Sequence, residues 1–99
     1  MNNNKTISGS EWTVYILHCA DESFYTGIAK NLDRRLKAHE MGKGAKYTRG
    51  RKPFKVVYIE VHQSRSAASK RENQIKLLNR EDKIDLITKY KLRCHYMAY

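Results

Sequence analysis

At 99 residues the chain has room for one domain, and a chain this short buries only about 60 to 65 percent of its unfolded surface, so few core positions are idle. Its formal net charge is +10, from 20 Lys and Arg against 10 Asp and Glu, which points to a polyanionic partner. The polar opening Met1-Asn2-Asn3-Asn4-Lys5 and the lack of any long apolar run argue against a secretory leader or a membrane span, and two widely separated cysteines, Cys19 and Cys94, argue against a disulfide framework, so a cytoplasmic protein with free thiols is expected.

Residues 1–10 hold Asn, Ser, Gly and Lys with almost nothing apolar, and read as a disordered tail before a single domain over 11–92, with a C-terminal tail over 93–99. Trp12 to Cys19 is rich in aromatic and β-branched residues and apolar on both alternating faces, as a central strand would be. Ala20-Asp21-Glu22-Ser23 predicts a hairpin turn, and Phe24 to Ala29 the returning strand. Asn31 is a good N-cap for a helix from Leu32 to about Met41, with Asp33 in its first turn. Leu32 and Leu36 form its inward stripe, and Arg35 and His39, four apart, share an adjacent face.

Gly42 to Pro53 carries three glycines and many basic residues around Tyr47, and predicts a mobile basic loop. Phe54 to Val61 predicts a third strand, with Val57, Ile59 and Val61 on one face and Val56, Tyr58 and Glu60 on the other. Ser64 or Ser66 opens a second helix to about Leu78, and Asn79, with Asp82 three residues on, caps a third from Arg80 to about Tyr90. The order β-β-α-β-α-α implies an α/β (α+β) domain: a three-stranded antiparallel or mixed sheet flanked by about three helices. So short a first turn makes the first two strands antiparallel neighbours, which puts Tyr15 and Tyr25 on adjoining strands.

Charge is concentrated. Residues 1–29 are net −2 and residues 56–99 net +4, whereas residues 30–55 carry ten basic and two acidic side chains, net +8. Nucleic acid is the leading partner and an anionic membrane the weaker one.

The order Thr13-Val14-Tyr15, then Tyr25-Thr26-Gly27, then Lys30-Asn31-Leu32-Asp33-Arg34-Arg35 and His39, with Glu72 in a later helix, resembles the GIY-YIG nuclease domain over about residues 11 to 90. The loop Gly44 to Pro53 and the stretch Ser66 to Leu78 are similar to its small bacterial single-domain branch, UPF0213-like. The first motif departs from the family's Gly-Ile-Tyr in having Thr13 for glycine, and Thr26 stands where the second has isoleucine, while both tyrosines, Gly27 and Asn31 remain. The resemblance implies a GIY-YIG fold and phosphodiester hydrolysis with Tyr15, Tyr25, Arg35, His39 and Tyr47 at the catalytic centre. It implies a divalent metal on Glu72, Mg²⁺ first and Mn²⁺ second. Asn73 and Asn79 are the candidates for a late asparagine that larger members carry.

The residue chemistry fits the same roles. In-line attack of water needs a group to align and deprotonate it, positive charge for the developing oxyphosphorane, and a Lewis acid near the leaving oxygen. Tyr15 is the candidate base, on the expectation that neighbouring cations lower its phenol from about 10. Tyr25 orients water or phosphate, Arg35 supplies a fixed fork of donors, and His39 bonds the nucleophile or shares the base role. Glu72 lies beside an apolar stripe and suits one hard cation. Taken alone, each tyrosine reads better as core and Glu72 as half of a helix pair with Lys76. Lys30, Lys46, Arg49, Arg51 and Lys52 read as phosphate contacts, and Tyr47 as a stacking platform or an active-site hydroxyl. An endonuclease on DNA, monomeric, is the expected function; the alternative is a binding module of the same fold with little or no turnover.

Overall fold

The computed structural model describes residues 11–97, with side chains described through Cys94. The expected tail over 1–10 lies outside the described residues, as do 98 and 99. Three strands, β1 (Trp12–His18), β2 (Phe24–Ala29) and β3 (Lys55–His62), form one antiparallel sheet in the order β2-β1-β3. Helices α1 (Leu32–Glu40), α2 (Arg65–Lys76) and α3 (Arg80–Met97) complete the order β-β-α-β-α-α.

β1 is central, and its sequence says why: Val14, Tyr15, Ile16 and Leu17 are all fully buried, so both faces of this strand must be covered. Val14 and Ile16 turn to one side, where they pack with Tyr58, Ala68, Ile75 and Ile87 beneath α2 and α3. Tyr15 and Leu17 turn to the other, against Ala29, Leu32 and Leu36 beneath α1. The sheet therefore lies between one helix and two.

The strand β3 corrects the simple alternation expected for it. Ile16 pairs with Tyr58 but Leu17 pairs with Val56, so a bulge inserts Val57 between them. Val57 consequently joins Tyr58 in the cluster under α2 and α3, instead of sharing the face of Ile59 and Val61. Glu60 then ties β3 to α2, accepting from Arg71 Nε at 3.0 Å and from the Tyr58 hydroxyl at 2.5 Å.

Capping follows the sequence closely. Asn31 Oδ1 accepts from the backbone N–H of Arg34 at 3.0 Å, Ser64 Oγ from that of Ala67 at 3.1 Å, and Asn79 Oδ1 from that of Asp82 at 2.8 Å. Of the two serines considered for α2, Ser64 is the cap. Helix α3 runs to Met97, well past Tyr90, because residues 91–97 contain neither Gly nor Pro to stop it. No described helix is long and apolar enough to cross a membrane.

The basic segment between α1 and β3 is held, contrary to the mobile loop expected. It contains one 3₁₀ turn, Lys46–Thr48, and the Ala20 N–H donates to Arg51 O at 2.9 Å, fastening it to the β1–β2 turn. The Arg51 guanidinium also pairs with the Asp21 carboxylate in that turn. Cys19 is buried and Cys94 exposed, and both are free thiols.

Candidate active site

Tyr15 stands opposite Gly27 across the β1–β2 ladder, and Tyr25 opposite Leu17, so the two phenols are diagonal neighbours on one face. Their ring centroids are 6.2 Å apart. Gly27 makes this possible: a Cβ there would come within 2.8 Å of Tyr15 Oη and 2.9 Å of Tyr25 Cε2. Thr13, by contrast, pairs with Ala29 and Val61 as an ordinary strand residue, so the position tolerates a side chain.

The Asn31 cap starts α1 beside the end of β2 and thereby aims Arg35 and His39 at the phenols. His39 is 1 % exposed, and both its ring nitrogens are engaged. Nε2 lies 2.8 Å from Tyr15 Oη, and Nδ1 2.8 Å from Thr48 Oγ1. Thr48 Oγ1 in turn donates its own hydrogen to Ala45 O at 2.9 Å. Its remaining role towards His39 is acceptor, so Nδ1 carries the proton, Nε2 offers a lone pair, and the Tyr15 hydroxyl donates to it. Gly44 closes the arrangement, since a Cβ there would run into the His39 ring.

The electrostatics correct one expectation. Burial pushes the Tyr15 phenol up to about 12, outweighing the downward pull of the Arg35 contact, with Tyr25 and Glu72 adding to the rise. Tyr15 is therefore a neutral donor at rest. Burial first, and then the charge of Arg35, holds the His39 imidazole below its ordinary range. The Arg35 guanidinium faces both phenols, and contact with Tyr15 raises its pKa above the usual value despite partial burial.

The depressed His39 value has a consequence for stability. Unfolded, the imidazole takes a proton near 6.5, whereas folded it resists until a lower pH. Below that value the unfolded chain binds more protons, so this contribution to stability is present above about 6.5 and is lost as pH falls. Thermal melts from pH 7.5 to 5 should show a falling midpoint, and His39→Gln, less stable at neutral pH, should show a smaller fall. Equal slopes in the two proteins would remove His39 as the cause.

Tyr25 extends the group outward. It meets His39 edge-on at 5.3 Å and stacks on Tyr47 at 5.8 Å, and the Arg51 guanidinium sits 4.4 Å above the Tyr47 ring. Tyr47 is 43 % exposed and forms the outer surface of the site. Glu72, on α2, has a side chain only 16 % exposed and pairs with Lys76 at 3.2 Å, the helix pair its spacing alone would give. It is also close enough to Tyr15 to act on the phenol's ionisation.

Among the described residues no group of three or more His, Cys, Asp or Glu is gathered as a metal cage. The donor present is one enclosed carboxylate whose counter-charge is a mobile ammonium. That fits a hard cation of the Mg²⁺ kind, which needs one or two carboxylates and otherwise uses water and substrate oxygens.

Of the phosphate contacts expected, Lys30, Lys46 and Arg49 are exposed. Lys52 donates to Glu40 O at 3.1 Å, and Arg51 is committed to Asp21 and Tyr47. Both ties are at the surface, where such pairs are worth about 0 to 1 kcal/mol, so phosphate can compete for them. The asparagine candidates do not join the site: Asn79 caps α3, and Asn73 lines a groove with Arg65 and Lys70. Sequence reading missed Thr48, Gly44, Lys76 as partner to Glu72, and Lys83. Only Lys76 carried a signal, its i,i+4 spacing.

Three comparisons bear on this arrangement. Residues 11–85 match the family described as the GIY-YIG catalytic domain. A UPF0213 protein of Clostridium perfringens is 55% identical over 75 residues, covering 76% of this chain and 81% of that one. An archaeal UPF0213 protein, from Natronomonas pharaonis, is 51% identical over 74 residues, covering 75% and 87%. Among solved structures, the solution structure of a protein from E. faecalis superposes with a TM-score of 0.60 at 36% identity, covering 93% of each chain. That of the UPF0213 protein from Bacillus halodurans gives 0.53 at 46% identity, covering 79% of this chain and 83% of that one.

Proposed function

This chain belongs to the GIY-YIG catalytic-domain family, a nuclease-type family, and on that premise we propose that it is an endonuclease hydrolysing DNA phosphodiesters with one divalent metal, Mg²⁺. The observation that carries the reading is the hydrogen-bond chain Tyr15–His39–Thr48, which places an oriented proton acceptor directly behind the phenol.

A phenol held at about 12 is a poor base alone. Backed by the Nε2 lone pair of a neutral His39, it can take a proton from water at Oη while passing its own to Nε2. The water oxygen then attacks phosphorus, and the imidazolium formed keeps its Nδ1–H on Thr48. Arg35, facing both phenols, is placed to meet the charge that grows on the non-bridging oxygens. Tyr25 orients the incoming water or phosphate. Glu72 would hold the metal, which when bound supplies Lewis acidity to the phosphate and leaving oxygens. Tyr15 is closed to solvent, so Tyr25 or Arg35 must shift for a water to reach it.

A second reading is a nucleic-acid-binding module of the same fold with little turnover. The enclosed phenol and the Glu72–Lys76 pair favour it. One experiment separates the two: a cleavage panel of single-stranded, duplex and branched DNA with Mg²⁺ or Mn²⁺, with Glu72→Ala as control. Metal-dependent cutting that Glu72→Ala loses supports the nuclease. Binding that falls steeply with salt, with a log–log slope of about −0.9 per phosphate neutralised on duplex, but without cutting, supports the module.

A further inference from the structure

We propose that the cavity at the outer edge of β2 is a subsite for one unpaired nucleotide beside the scissile phosphodiester, so that the substrate class is nucleic acid with a single-stranded segment at the cut. This rests on the nuclease reading above. The cavity has a volume of about 280 Å³ and is lined by Phe24, Tyr25, Thr26, Tyr47, Lys76 and Lys83.

Its walls carry the two chemistries a nucleotide needs. Three aromatic rings enclose an apolar space on one side, and two ammonium groups stand on the other. These come from β2, the basic segment, α2 and α3, so only the tertiary fold assembles them. Lys83 is one turn into α3 and half-buried, an unusual place to hold a lysine unless it faces an anion.

Thr26 supplies an independent sign. It is 4 % exposed, and its hydroxyl is the one buried side-chain polar atom among the described residues that lacks a hydrogen-bond partner. Such groups are normally satisfied, and an orphan in the wall of a cavity marks a place where a polar ligand atom is expected.

Lys76 and the tyrosines fix the position of this subsite relative to the chemistry. Tyr25 and Tyr47 belong both to this cavity and to the aromatic group around His39. Lys76 Nζ lies 3.2 Å from Glu72 Oε2. A cation taken up by Glu72 releases Lys76 from its ion pair, and the ammonium is then available to a phosphate in the cavity. A base still paired to its complement cannot enter a space walled by three rings, so occupancy selects an unpaired nucleotide.

The test is binding, measured by fluorescence anisotropy with Mg²⁺ on protein made inert by Tyr15→Phe. The probes are a blunt DNA duplex, the same duplex with a short single-stranded overhang, and the overhang with abasic residues. About tenfold tighter binding of the overhang than of the blunt or abasic probe is expected, the scale of one enclosed base. Lys83→Met and Thr26→Val should each bring that ratio towards one while leaving blunt-duplex affinity within about twofold. Lys83→Met should also reduce the log–log salt slope on the overhang by about 0.7, one phosphate on a single strand. A ratio near one in the Tyr15→Phe protein, or an equal loss on all probes in Lys83→Met, would overturn the subsite. The readout does not depend on turnover, so the nuclease reading stands or falls on the cleavage panel and this subsite on the binding ratio.

Discussion

Tyr15→Phe is expected to slow cleavage by about a hundred- to ten-thousandfold, the range for losing a positioned proton-transfer group, while the fold survives. The ring itself is core, packed with Leu17 and Ala29 beneath α1, and phenylalanine keeps that packing. What is lost is the hydroxyl and its 2.8 Å bond to His39 Nε2, worth about 0.5 to 1.5 kcal/mol net. His39 stays oriented by Thr48 through its other nitrogen. Single-turnover cleavage at saturating protein, with a urea midpoint for each variant, measures both quantities. Arg35→Ala and Glu72→Ala should abolish cleavage comparably and leave salt-sensitive binding mostly intact. Cleavage by Tyr15→Phe at the parent rate would rule out the phenol as the group that takes the proton.

Gly27→Ala is the second large effect, and it should strike stability and activity together. The added methyl would sit 2.8 Å from Tyr15 Oη, 2.9 Å from Tyr15 Cζ and 2.9 Å from Tyr25 Cε2, all well inside contact distance. Tyr15 has nowhere to go: it is fully buried and hydrogen-bonded to a histidine that is itself buried. The clash is relieved only by moving a ring or parting β1 from β2, at a cost of about 1 to 3 kcal/mol. Either movement breaks the Tyr15–His39 bond, so cleavage should fall at least as far as in Tyr15→Phe. Denaturant unfolding followed by a cleavage assay checks it. An alanine variant of parent stability and activity would show that Gly27 is not what permits the two phenols to meet.

Much of the fold was legible because its signals are local. The caps Asn31, Ser64 and Asn79 each act over three residues, so the sequence shows them directly. The apolar run Val14 to Leu17 carries its own burial on both faces and marks β1 as central. The departures have non-local causes or an absent stop signal. A bulge opposite Ile16 and Leu17 re-aimed Val57, and no periodicity in β3 announces it. The basic segment reads as mobile because it is polar and glycine-rich, yet Arg51 and Asp21, 30 residues apart, fasten it. Helix α3 overran its expected end because nothing in residues 91–97 breaks a helix.

The candidate site divides along the same line. The sequence by itself determined which residue types stand in motif order, Tyr15, Tyr25, Gly27, Arg35, His39 and Glu72, because order and helical spacing are properties of the chain. It also determined the net +8 over residues 30–55. Protonation was decided by the tertiary structure. Cations nearby in sequence suggested a lowered Tyr15, but enclosure in the core raised it to about 12, since desolvation of a phenolate outweighs a partly buried guanidinium. Thr48 and Gly44 entered only through the path of the chain after α1, and they set the tautomer and fit of His39. Lys83 reached the edge of β2 only because α3 packs under the sheet beside α2. Proximity between residues far apart in the chain, and the dielectric it creates, are products of packing, and no linear pattern contains them.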